Sequence, residues 1–117
     1  MYYVKKRMEI AGAHMLKLSY DSKCTQLHGH NWIVEVYCVS DVLTVDGMVA
    51  DFTHIKKQIA DQLDHKYIND IIGDINPTAE NIAKWICDQI KTCYKVTVQE
   101  SEGNVAMYVK EGFHEGL

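Results

Sequence analysis

Seven side chains in this sequence have the types and spacing that chemistry needs. His28-Gly29-His30 puts two imidazoles two residues apart at the start of an alternating apolar run. On a strand, residues two apart point to the same face, so both rings can reach one ion, and Gly29 between them permits close backbone approach. His14 closes an earlier strand-like segment, and if the two segments are neighbours its ring joins the pair. Three neutral imidazoles suit Zn²⁺ and leave a fourth position open, the mark of a catalytic rather than a structural zinc site. Cys24 lies four residues before His28. It reads as a fourth ligand, as a reactive thiolate beside the metal and Lys23 that serves as a general base, or as a small buried residue. Asp64-His65 sets a carboxylate beside an imidazole, an arrangement that can orient and polarise the ring for proton transfer. Glu100 ends a β-like run, where a carboxylate can accept paired N–H donors from the edge of a flat heterocycle.

The elements that must position these groups follow from periodicity. Residues 2–15 and 30–40 alternate as strands, with Trp32, Val34, Val36 and Cys38 on one face of the second. Between them, 16–29 is polar and broken, a loop or long hairpin connection. Helical spacing covers 52–63, with Phe52, Ile55, Ile59 and Leu63 as its stripe and Asp51 or Thr53 as its cap. Asn76-Pro77 punctuates the chain, Thr78 caps a second helix over 79–91, and 95–100 and 104–110 form a strand hairpin turning at Glu102-Gly103-Asn104. The order strand, strand, helix, helix, strand, strand predicts an α+β domain: a four-stranded antiparallel sheet with two helices on one face. Ile33, Tyr37 and Val39 then point to an uncovered sheet face, so a homo-oligomer is expected.

Composition bounds the rest. The chain has 117 residues, 47% of them hydrophobic, which suits one globular domain spanning 1–117. The formal charge is −4, and one of the 12 basic residues is an arginine, Arg7, a poor endowment for binding nucleic acid. No apolar run is long enough for a membrane helix, and no secretory signal follows Met1. A cytoplasmic location with reduced cysteines is therefore expected, with Cys38 and Cys87 buried. His54 and His114 read as surface residues.

Taken together, Cys-x-x-x-His-Gly-His after an earlier strand-end histidine, Val49-Ala50-Asp51-Phe52, Leu63-Asp64-His65, Asn76-Pro77-Thr78-Ala79-Glu80-Asn81 and Glu100-Ser101 resemble the 6-pyruvoyltetrahydropterin synthase family. Within it, they resemble most the bacterial branch that makes 6-carboxytetrahydropterin for queuosine. The resemblance covers nearly the whole chain. It implies the tunnelling fold, assembled through its sheets into a barrel, as a homo-oligomer (a hexamer) with active sites between subunits. It implies zinc on His14, His28 and His30, Cys24 as general base, Asp64 and His65 as its proton-relay partners, and Glu100 as anchor of the pterin ring. Thr78 and Glu80 would cap and brace the second helix. The substrate implied is 7,8-dihydroneopterin triphosphate, converted with loss of triphosphate and acetaldehyde, and Lys17, Lys23 and Arg7 are candidate triphosphate ligands. A three-residue gap between the cysteine and His-Gly-His favours this branch over the 6-pyruvoyl enzymes, and Cys24 itself argues against a folate-pathway branch that carries glutamate there. The Ile10-Ala11-Gly12-Ala13 run before His14 departs from the family's more usual aromatic-Ser-Ala pattern. The competing readings are a 6-pyruvoyl synthase with the same metal and substrate, or a non-catalytic zinc protein that binds a pterin or purine.

Overall fold

In the computed structural model, which describes residues 1–113, five strands and three α-helices form two layers. Strands β1 (Tyr2–His14) and β2 (His28–Ser40) pair antiparallel along their whole length, from Tyr2 opposite Ser40 to His14 opposite His28. After helix α1 (Phe52–Leu63) comes a two-residue strand, β3 (Lys66–Tyr67), which runs parallel to β1 beside Gly12 and Ala13. A short helix α2 (Ile68–Ile72) and helix α3 (Ala79–Asp88) follow, then the hairpin of β4 (Cys93–Ser101) and β5 (Asn104–Val109). The sheet order is β3-β1-β2-β4-β5.

The expected α+β layering and hairpins are present, but the four-stranded antiparallel sheet with two helices is corrected to a mixed five-stranded sheet with three. The elements that escaped are too short to show a period: β3 has two residues and α2 five. Both owe their form to tertiary contacts with β1. A 3-10 turn over Lys23–Thr25 also interrupts the β1–β2 connection.

The core lies between the sheet and the helices. Alternation along β2 buries Trp32, Val34, Val36 and Cys38 against Ile55, Ile59 and Leu63 of α1 and Ile82, Ile86 and Cys87 of α3. Asp51 caps α1 by accepting from Thr53 N at 2.8 Å, and Thr78 caps α3 by accepting from Asn81 N at 3.2 Å. Phe52, expected in the buried stripe of α1, is instead 47% exposed at the first position of the helix; Ala60 is buried in the stripe. Tyr37 and Val39 do point to the far face, yet they are buried there. Tyr94 packs against them, and Lys95 lies over the Tyr37 ring at 4.6 Å. His54 is exposed, as expected, and His114 lies outside the described residues.

Ile59 is fully buried at the centre of the helix–sheet contact. Ile59→Ala is expected to lower the unfolding free energy by about 3 kcal/mol, read from urea denaturation. A loss below about 1 kcal/mol would show that α1 does not seal the core.

Candidate metal centre and active site

The β1–β2 register decides where the histidines go. His14 and His28 are cross-strand partners, and His30 pairs with Gly12 two residues back, so all three rings fall on the helix-facing side at one end of the sheet. Their nearest ring nitrogens lie within 4.8 Å of one another, and the ring centroids are 4.4–5.4 Å apart. Trp32 forms the floor, 4.9 Å from the His14 ring and 5.0 Å from that of His30, with its Nε1 donating to Gly12 O at 3.1 Å.

Two backbone carbonyls orient the rings. His14 Nδ1 donates to Pro77 O at 2.8 Å, and His28 Nδ1 donates to Gln26 O at 2.7 Å. A carbonyl can only accept, so both rings carry the proton on Nδ1 and present a bare Nε2 lone pair. The Nε2 atoms of His14 and His30 are buried without a hydrogen-bond partner. Buried polar atoms are rarely left so, and here they face one shared point. Burial holds both rings below the usual imidazole range, which keeps them in the neutral, ligating form; for His14 this outweighs the opposing pull of the Pro77 carbonyl. The donor set fits a divalent ion of zinc type, with His14, His28 and His30 as ligands.

Glu100 stands beside this cluster, next to His30. It lies two residues beyond Val98, which pairs with Val34, and so on the same sheet face. Its Oε1 stands 3.4 Å from His30 Nε2, without the alignment of a hydrogen bond. One chain therefore supplies both the three rings and Glu100. Beside Glu100 opens a cavity of about 650 Å³ lined also by Ala79, Glu80, Asn104 and Val105. Glu80, read from sequence as a helix brace, thus faces the same space as Glu100.

The remaining residues are placed apart. Cys24 sits half-buried in the 3-10 turn, held through its backbone by Leu16 N and Ser22 Oγ. It is outside the cluster of mutually close ligand atoms, which argues against its closing the metal site as a fourth ligand. Asp64 and His65 bind the edge of β1: Asp64 Oδ1 accepts from Ala11 N at 2.9 Å and His65 N donates to Ala11 O at 2.6 Å. The His65 side chain is 80% exposed, with Nδ1 3.8 Å from Asp64 Oδ1, and it lines an open cavity of about 540 Å³ with Ala11, Ala13, Gly29 and Asn31. Ala11 and Ala13 alternate with the core-facing Ile10, Gly12 and His14, so this cavity opens mainly on the sheet face away from the helices. Arg7 lies opposite Glu35 in mid-strand, where Glu35 is ion-paired to Lys5 at 3.1 Å, and Lys17 borders a cavity with Asp70 and Asp74, so these two candidate cations are not gathered in one chain.

The sequence does not single out Asn69, and it marks Asn76 only as a break before Pro77, yet both act as clamps. Asn69 accepts from Met15 N and donates to Met15 O at 3.0 and 2.9 Å; Asn76 does the same with Lys17 at 2.9 and 2.8 Å. Both tie down the chain just past His14. Asn76-Pro77 was the available signal, since a residue fixed by a following proline is a natural anchor.

A profile described as 6-pyruvoyl tetrahydropterin synthase matches residues 3–111. A Synechocystis protein named 6-carboxy-5,6,7,8-tetrahydropterin synthase is 34% identical over 92% of this chain and 93% of its own. The human 6-pyruvoyl tetrahydrobiopterin synthase is 30% identical over 92% of this chain and 91% of its own. The solved structure of Caenorhabditis elegans 6-pyruvoyl tetrahydropterin synthase superposes with a TM-score of 0.75 at 25% identity, covering 94% of this chain and 96% of that one.

The lowered ring pKa values have a consequence for the metal-free chain. Between the folded-state values and the ordinary value of about 6.5, the unfolded chain holds more protons than the folded one, so stability falls as pH falls through that window. The urea midpoint of chelator-stripped protein is expected to drop on going from about pH 7.5 to about pH 5.5. A midpoint that stays constant would contradict the burial of these two rings.

Proposed function

The chain belongs to the 6-pyruvoyl tetrahydropterin synthase family, and on that premise we propose that it is a zinc-dependent lyase acting on 7,8-dihydroneopterin triphosphate. Its products are 6-carboxy-5,6,7,8-tetrahydropterin, acetaldehyde and triphosphate, and its place is in queuosine biosynthesis in the cytoplasm. The whole chain, residues 1–117, acts as one such domain. The observation that carries the reading is three convergent imidazoles, two with orphaned Nε2 atoms, beside a glutamate of the same face. The 6-carboxy reaction is preferred to the 6-pyruvoyl one because of the Synechocystis relative's name and the three-residue spacing between Cys24 and His28.

Zinc held by His14, His28 and His30 would supply a Lewis acid for the oxygens of the substrate side chain. Glu100 anchors the pterin by accepting paired N–H groups from its edge, and the cavity beside Ala79 and Glu80 gives the flat ring room. Cys24, as thiolate, takes a proton from the side-chain carbon next to the ring. His65, positioned by Asp64, returns one to the other face. In a single chain Cys24 has no side-chain partner among the described residues, while His65 is exposed at the β1 edge. That separation supports a homo-oligomer, a hexamer, in which the relay pair of one copy completes the site of another. The edge strand β5, with Val105 56% and Met107 45% exposed, is a surface such an assembly would cover.

Incubation with 7,8-dihydroneopterin triphosphate followed by mass analysis is expected to show acetaldehyde and 6-carboxytetrahydropterin in equal amounts. A product keeping every side-chain carbon would identify a 6-pyruvoyl synthase instead. Cys24→Ala is expected to cut kcat by about 10²–10⁴-fold while bound metal is unchanged; near-full turnover in that variant would remove the thiol from the mechanism.

A further inference from the structure

Three of the four cysteines have no part in the site described above. Cys38, Cys87 and Cys93 are free thiols, 0%, 0% and 2% exposed. Strand register explains why they meet. β2 and β4 pair Tyr37 with Lys95 but Cys38 with Cys93, so Tyr94 is one extra residue in β4. The bulge turns Tyr94 outward against Tyr37 and returns Cys93 to the helix side, opposite Cys38. Cys87, in the last turn of α3, comes down on the same spot, its Sγ 3.6 Å from Cys93 O. The Cys93 thiol donates to Lys95 O at 3.4 Å.

Directly opposed residues on antiparallel strands have Cα atoms about 4.5–5.5 Å apart, inside the span of about 4.4–6.8 Å that a disulfide bridges. We propose that Cys38 and Cys93 are a disulfide site, closed by a small peroxide, that staples β2 to β4. The Cys38 sulfur attacks one peroxide oxygen; the O–O bond breaks, and the sulfenic acid and a first water result. The Cys93 sulfur then displaces the hydroxyl from Cys38, its proton leaves with that hydroxyl as a second water, and the S–S bond forms. Two thiols are oxidised by two electrons in all, and the peroxide is reduced by the same two. Burial at this depth favours an oxidant the size of water over a bulky disulfide. Cys87 stays a free thiol, because the cross-strand pair can close without moving α3. The pair lies ten residues along β2 from His28, about 33 Å away, so it stands or falls apart from the proposed function.

The experiment treats the folded chain with hydrogen peroxide, quenches with an alkylating agent under denaturing conditions, and maps peptides without reduction. Expected are a Cys38–Cys93 cross-linked peptide, loss of two hydrogens from that pair, and a Tm raised by at least about 5 °C that returns to its starting value with dithiothreitol. Cys87→Ala should keep the cross-link, and Cys93→Ala should abolish it. If Cys93→Ala does not fold, Cys38→Ala gives the same reading. A folded, peroxide-treated chain whose Cys38 and Cys93 are both alkylated as free thiols would overturn the proposal, as would a cross-link that joins Cys87.

Discussion

The antiparallel register between β1 and β2 is the constraint on which the site depends. It opposes His14 to His28 and Gly12 to His30, and thirteen consecutive pairs hold it. A slip of one residue would send His28, His30, Trp32, Val34 and Val36 to the far face together. The register is protected because that face is buried: Trp32, Val34 and Val36 are at most 1% exposed. The same burial that stabilises the sheet therefore fixes the histidine cluster, and neither can shift without the other. Gly12 contributes by its lack of a side chain. A Cβ there would come 3.0 Å from Ile68 Cδ1, so the Ile68 side chain would have to give way over the strand.

Beyond His14, β1 loses its partner on β2, and the chain is held by substitutes. The amides of Asn69 and Asn76 each make the paired donor and acceptor contacts that a neighbouring strand would otherwise supply, with Met15 and Lys17. Asn76 leads into Pro77, whose carbonyl orients His14, and the Asn76 carbonyl accepts from Asn81 Nδ2 in α3 at 2.9 Å. One short segment thus links the start of α3, the exit of β1 and the tautomer of a ligand. The α3 start is also where the cavity beside Glu100 opens, so ring orientation and the room for a substrate share a support.

Much of this was legible in the sequence because it rests on local periods. His28-Gly29-His30 needed only the two-residue repeat of a strand, and the caps at Asp51 and Thr78 needed only residue type and position. What escaped was non-local. β3 and α2 exist through contacts with β1 rather than through their own pattern. The buried state of Tyr37 and Val39 depends on Tyr94, brought outward by a bulge that no repeat announces. The asparagine clamps join residues 54 and 59 positions apart. Cys24 and Asp64-His65 were recognisable by type, but only the fold shows that one chain keeps them apart.

In the proposed site three imidazole nitrogens, with no sulfur, would hold the zinc ion. X-ray absorption at the zinc edge of the zinc-loaded protein tests it most directly. Three imidazole ligands at about 2.0–2.1 Å and an oxygen ligand in the remaining position are expected. A sulfur scatterer at about 2.3 Å would put Cys24 in the coordination sphere and contradict both the open site and the separate role of the thiol.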